Sequence, residues 1–142
     1  MFTGRVSTNN QMFRVHQILA CLALPVSLAA VDREALEKQA ASGQAEAQYQ
    51  LAEAFFWGHG GKQDLEQAAD WARLSAEQGN AKGEYRLAVQ LILGQGLKSN
   101  NENDKQGYVW LEKALVGLQK LADQNDHDAQ HKLALLCLSG LV

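Results

Sequence analysis

The sequence predicts an all-α solenoid built from helix–turn–helix pairs, and three observations carry that prediction. Residues 31–142 contain no proline, seventeen alanines and only six β-branched residues. That composition favours helix and disfavours strand. The stretch Gly43-Gln-Ala-Glu-Ala-Gln-Tyr-Gln-Leu-Ala52 recurs as Gly79-Asn-Ala-Lys-Gly-Glu-Tyr-Arg-Leu-Ala88, an offset of 36 residues. Gly58-His-Gly60 returns at the same offset as Gly94-Gln-Gly96. A fixed period in this range is the mark of stacked helical units, each too small to bury its own apolar face.

The elements follow in order. A leading helix is expected at 32–41, opened by Asp32 as N-cap. Helix A1 is expected at 44–57, with Ala47, Leu51, Ala52 and Phe55 on one apolar stripe. Gly43 and Gly79 each end one helix just before the next begins, where glycine takes a positive φ without a Cβ clash. Helix B1 is expected at 65–78 and helix A2 at 80–93. The polar run Asn100-Asn-Glu-Asn-Asp104 is expected as a turn with capping residues, followed by helix B2 at 104–123. Trp71 and Trp110 mark the two B helices, and B2 runs about two turns longer than B1. A worn third copy, with Ala129, Leu133, Ala134 and Gly140 at equivalent places, predicts helix A3 at 127–139. The count is two full repeats flanked by a half-repeat at each end, forming one domain over 31–142.

Residues 1–30 are a separate object. They hold no acid and only two basic residues, Arg5 and Arg14. The apolar run Ile18–Leu24 is too short to span a membrane, and Pro25 and small residues follow it. This is the pattern of a secretory signal peptide, with Met12 as the functional start and cleavage near Ala30. Cleavage after Ala29 also satisfies the small-residue rule. An uncleaved N-terminal helix and a lipoprotein signal at Cys21 are the alternatives. Export implies a periplasmic or secreted protein.

The remaining chain has 11 basic and 16 acidic residues. An acidic surface argues against nucleic acid and anionic membranes as partners. After cleavage Cys137 is the only thiol; it lies in the apolar run Leu133–Gly140 and is expected to be buried.

Little in the chain points to chemistry. Gly58-His-Gly-Gly-Lys62 lacks both the earlier glycine and the following Ser or Thr of a phosphate loop. His127 and His131 stand four apart, on one helix face, near Asp123, Asp126 and Asp128. That spacing suits a metal, but no further ligand is evident, and the acids also serve to cap helix A3. No catalytic residue, metal or cofactor is expected. An enzymatic or metal-dependent use of the two histidines, and a self-associating structural subunit, are the alternatives to a binding module.

The motifs Gly43-x-Ala-x-Ala-x-Tyr-x-Leu-Ala52, Gly58-x-Gly-Gly61 and Gln67-Ala-Ala-x-Trp-x-x-x-Ser-Ala76 resemble the Sel1-like repeat, a relative of the tetratricopeptide repeat. The resemblance covers about 40–142. Unit two departs from it at Gln106-Gly107, where unit one has Gln67-Ala68, and the paired cysteines of some secreted members are missing. The resemblance implies a protein–protein interaction adaptor or scaffold, with a protein or peptide partner held on the concave face. By that likeness the A helices line the face with Glu46, Glu53, Trp57, Lys82, Val89, Ile92 and Asp128. Trp57 is the preferred anchor there, unless it packs onto its own glycine loop.

Overall fold

The computed structural model describes residues 32–97 and 101–140. Their elements are six helices: α1 (Arg33–Ala41), α2 (Ala45–Trp57), α3 (Leu65–Glu77), α4 (Ala81–Leu93), α5 (Asn101–Asp123) and α6 (His127–Ser139). The signal peptide expected at 1–30 lies outside the described residues. Among those residues no helix is long and apolar enough to cross a membrane.

Local chemistry sets most of the helix ends. The carboxylates of Asp32, Asp64 and Asp126 and the amide oxygen of Asn80 accept backbone N–H bonds at the starts of α1, α3, α6 and α4. Such caps satisfy donors that the first turn leaves unpaired. The three A-type helices α2, α4 and α6 all end on a left-handed glycine, Gly58, Gly94 and Gly140, with φ of 74, 62 and 70°.

Each helix packs on the next, and α2 also packs on α4, so the A-type helices of the two full units stack. The core is therefore a row of linked clusters. The first joins Leu36 and Ala40 of α1 to Leu51 and Phe55 of α2 and Ala68 of α3. The second joins Ala52 of α2, Ala72 and Ala76 of α3, and Leu87 and Leu91 of α4. The third gathers Tyr85 and Ala88 of α4, Leu111, Ala114 and Leu118 of α5, and Ala129 and Leu136 of α6. Trp71 touches the first two clusters and Trp110 the last two. The repeated tryptophan is thus the joint between successive units.

One difference from the sequence expectation sits in the second unit. The run Asn101–Asp104 is not a turn but the first turn of α5. Acidic and Asn side chains are suited to a helix N-terminus, where the dipole favours negative charge. As the spacing predicts, α5 continues past the point where α3 stops. Two glycines let it lie close against α4. A Cβ on Gly107 would lie 2.7 Å from Ile92 Cγ1, and one on Gly117 would collide with Ala81, so α5 passes close to α4 along its length.

Gly96 combines both demands on glycine. Its φ is 73°, and a Cβ there would run into the carbonyl of Leu65 at the start of α3. Gly96→Ala is expected to lower stability by about 3 kcal/mol, the sum of a left-handed penalty of about 1–2 and a comparable cost of local displacement. Gly43→Ala is the control, because Gly43 has φ 90° but open space around it. Urea unfolding of the two variants checks this; equal losses would show that the contact with Leu65 carries no weight.

Candidate interaction cleft

A cleft of about 550 Å³ opens where α1, α2, α4 and α6 converge. Its walls are Asp32, Ala35, Leu36 and Gln39 from α1 and its cap, and Glu46, Tyr49, Gln50, Glu53 and Ala54 from α2. His59 of the glycine loop, Lys82 of α4 and Asp128 of α6 complete it.

The far wall is built on a tyrosine and two lysines. The Tyr49 hydroxyl donates to Asp128 Oδ2 at 2.8 Å, tying α2 directly to α6. The other oxygen of Asp128 accepts from Lys132 Nζ at 2.6 Å, and that ammonium also lies over the rings of Tyr49 and Tyr85, at 5.0 and 5.6 Å. Lys82 stands between α2 and α6. Its ammonium is 2.9 Å from Asp126, 3.6 Å from Glu46 and 3.8 Å from Asp128. Asn80 donates to the second Glu46 oxygen at 3.0 Å.

Burial and pairing compete here. Burial opposes ionisation of Asp128, but the Lys132 ammonium and the bonds from Lys132 and Tyr49 outweigh it and hold the carboxyl below its ordinary range. The bond from Lys82 does the same for Asp126. Burial works against the Lys82 ammonium, yet its bond to Asp126 and the surrounding carboxylates raise its pKa. Burial, with Glu53 and Asp128 nearby, pushes the Tyr49 phenol far above its usual value. The wall is thus a network of charges that complete one another.

The near end is aromatic. Arg86 Nε and Nη2 donate to the two Glu53 oxygens at 2.6 and 2.8 Å. The guanidinium lies 4.1 Å over Phe56 and 5.8 Å over Trp57. Trp57 is 58% exposed, meets Phe56 edge-on, and donates its indole N–H to Glu53 at 3.0 Å. Its partners are therefore on its own helix and on α4. Below it, Arg33 of α1 donates to the carbonyls of Ala54, His59 and Lys62 and fixes the glycine loop against α1.

Of the seven residues placed on the concave face by the repeat pattern, Glu46, Glu53, Lys82 and Asp128 come together in this cleft. Trp57 stands exposed at its Glu53 end. Val89 and Ile92 do not join them. They pack against the third core cluster, because the long α5 lies across that side of α4. Tyr49, Arg86, Asp126 and Lys132 were missed as site residues. Their signal was present as complementary charges, Glu53 and Arg86 on successive A-type helices and Asp128 and Lys132 four apart on α6, and as the tyrosine shared by units one and two.

The remaining expectations resolve by position. Cys137 is exposed rather than buried, because no described helix covers the outer side of α6. His131 takes the place of Tyr49 and Tyr85 in the repeat but is exposed, as is His127. Among the described residues no three His, Cys, Asp or Glu side chains are grouped to hold a metal.

The comparisons with known proteins agree with this architecture. No curated protein matches the sequence. The crystal structure of a Sel1 repeat protein from Oxalobacter formigenes matches at 32% identity with a TM-score of 0.51, over 71% of this chain and 26% of that one. A protective antigen of uropathogenic Escherichia coli with an SLR fold matches at 33% identity and a TM-score of 0.53, over 78% of this chain and 21% of that one. The chain thus spans about a quarter or less of the length of these solved relatives. The Sel1 repeat family model matches residues 45–80, 81–115 and 127–142, in register with the helix pairs described above, and the chain belongs to the Sel1 repeat family.

Proposed function

We propose that this chain is an exported interaction module that grips a segment of a protein partner in the cleft between α1, α2, α4 and α6. Sel1 repeats typically serve as protein–protein interaction scaffolds. The observation that carries the reading for this chain is the convergence of Glu46, Glu53, Lys82 and Asp128 in one open cleft with the exposed Trp57 beside Glu53. Network charges already fixed by one another offer oriented polar groups without further ordering cost. An exposed tryptophan on a rigid helix is the kind of side chain that dominates interface energy. Export rests on the pattern of residues 1–30.

Two measurements test this. A photo-crosslinker at Gln50, in the cleft, is expected to capture a defined partner from the envelope or medium; one at Arg73, exposed on α3, is expected to capture none. Trp57→Ala is expected to weaken binding of that partner by about 2 kcal/mol, roughly thirtyfold, with unfolding unchanged within about 0.5 kcal/mol. Equal capture from both positions would place the contact elsewhere. Mass spectrometry of the protein recovered outside the cytoplasm should give a chain beginning at Val31; an unprocessed chain in the cytoplasm would refute export.

A further inference from the structure

The walls of the cleft carry an asymmetry of charge. Four carboxylates line it, those of Asp32, Glu46, Glu53 and Asp128, against a single ammonium, that of Lys82. The cations that pair with these acids stand behind them. In the ion pairs of the wall the Lys82, Lys132 and Arg86 side chains are 12, 6 and 8% exposed, whereas Glu46, Asp128 and Glu53 keep 50, 40 and 20%. Arg33, next to Asp32 in the chain, is turned to the carbonyls of Ala54, His59 and Lys62. The charge presented to the opening is therefore carboxylate oxygen.

The buried cations hold those oxygens in place without covering them. Asp128 has one oxygen on Lys132 and the other on Tyr49, and Asn80 and Lys82 orient Glu46. A carboxylate has about four lone-pair sites, so both keep acceptor capacity toward the cleft. The fold itself shows what such a site accepts. Arg86 gives Glu53 two N–H bonds while its guanidinium lies over Phe56 and within reach of Trp57. Trp57 stands exposed beside the same carboxylate, and an indole ring attracts a cation placed over its face.

We infer that the cleft selects a cationic segment of its protein partner, one that sets arginine side chains against Asp32, Glu46 and Asp128 and over the exposed ring of Trp57. This rests on the cleft being the interaction site proposed above, and adds the chemistry of what it holds. Arginine suits the cleft better than lysine, because its planar fork bonds a carboxylate at two points and stacks on a ring. An acidic segment would face four carboxylates with one ammonium to offset them, and Glu46, Asp126 and Asp128 already share that ammonium. Such a mismatch of charge repels the wrong partner as effectively as the match attracts the right one.

The probes are three capped hexapeptides, in which alanine alternates with arginine, with citrulline or with glutamate. Citrulline keeps the shape of arginine and removes its charge. Calorimetric titration of the full chain is expected to show the arginine peptide binding about tenfold tighter than either of the others. That binding should weaken severalfold between about 0.01 and about 0.15 M salt, as the screening length falls from about 30 to about 8 Å. Asp32→Asn with Glu46→Gln keeps the helix cap, removes two exposed charges and should weaken it about tenfold. Asp70→Asn with Glu77→Gln makes the same change of charge at exposed sites on α3, outside the cleft, and should alter it by less than about twofold. No binding of the arginine peptide at millimolar concentration, equal binding of all three peptides, or equal weakening by both double variants would overturn the inference. Capture of a defined partner through Gln50 without preference for the arginine peptide would sink the charge selectivity alone. Absence of both capture and peptide binding would sink the interaction cleft with it.

Discussion

Leu87→Ala is expected to remove about 3–5 kcal/mol of stability, the upper part of the range for a fully buried leucine. Leu87 is 1% exposed and sits in the second core cluster with Ala52, Ala72, Ala76 and Leu91. Three of those neighbours are alanines, whose single methyl groups cannot swing in to fill the space, so the cavity would stay largely open. The position also matters. The second cluster is the link between the first and third, and coupling in a solenoid passes only between neighbours. Leu87→Ala should therefore broaden the urea transition as well as lower its midpoint, because the two ends unfold less cooperatively. Circular dichroism and tryptophan fluorescence, followed together, measure both effects. A loss below about 1 kcal/mol, with coincident and sharp transitions, would show that the site collapses around the smaller side chain.

Lys132→Ala is expected to cost about 2–3 kcal/mol, somewhat below the full effect of breaking a buried ion pair. The Lys132 side chain is 6% exposed, but its partner Asp128 keeps 40% exposure and the Tyr49 bond, which softens the loss. Lys132→Met should cost less, because it keeps the apolar stem between the two tyrosine rings while removing only the charge. The pH dependence gives a separate readout. Asp128 ionises more easily in the folded chain than at its ordinary 3.8, so the stability it contributes is complete above that value and is lost as pH falls through the lower folded pKa. Lys82 holds its proton more tightly than at its ordinary 10.5, so its contribution is complete below that value and is lost as pH rises through the higher folded pKa. Stability should therefore be level across neutral pH and fall at both extremes. In Lys132→Ala the acid limb should flatten, since the main cause of the lowered Asp128 pKa is gone, while an alkaline limb, to which Lys82 and the buried phenols of Tyr49 and Tyr85 contribute, should persist. An unchanged acid limb would mean that Lys132 does not hold Asp128 ionised.

The sequence alone determined the repeat and most of the helix boundaries, for local reasons. Asp32, Asp64, Asn80 and Asp126 cap helix starts, and Gly58, Gly94 and Gly140 stop the A-type helices at matching places. Each of these signals acts within a few residues and can be read without knowing what packs where. The alanine and leucine positions of the stripe were equally legible in units one and two, where the 36-residue period repeats the same buried register.

Only the tertiary structure decided what lies across the chain from what. The bond between Tyr49 and Asp128 spans 79 residues, and no period in the sequence specifies it. It depends on the length of α5, whose two extra turns set where α6 begins, and on Gly107 and Gly117, which let α5 pass close to α4. That same crossing packs Val89 and Ile92, half-buried, against the third core cluster rather than leaving them in the expected groove. The opposite outcome befell Cys137, whose apolar run gave every local sign of burial. Burial needs a second surface, and whether α6 has one is settled by what packs on it, not by its own residues.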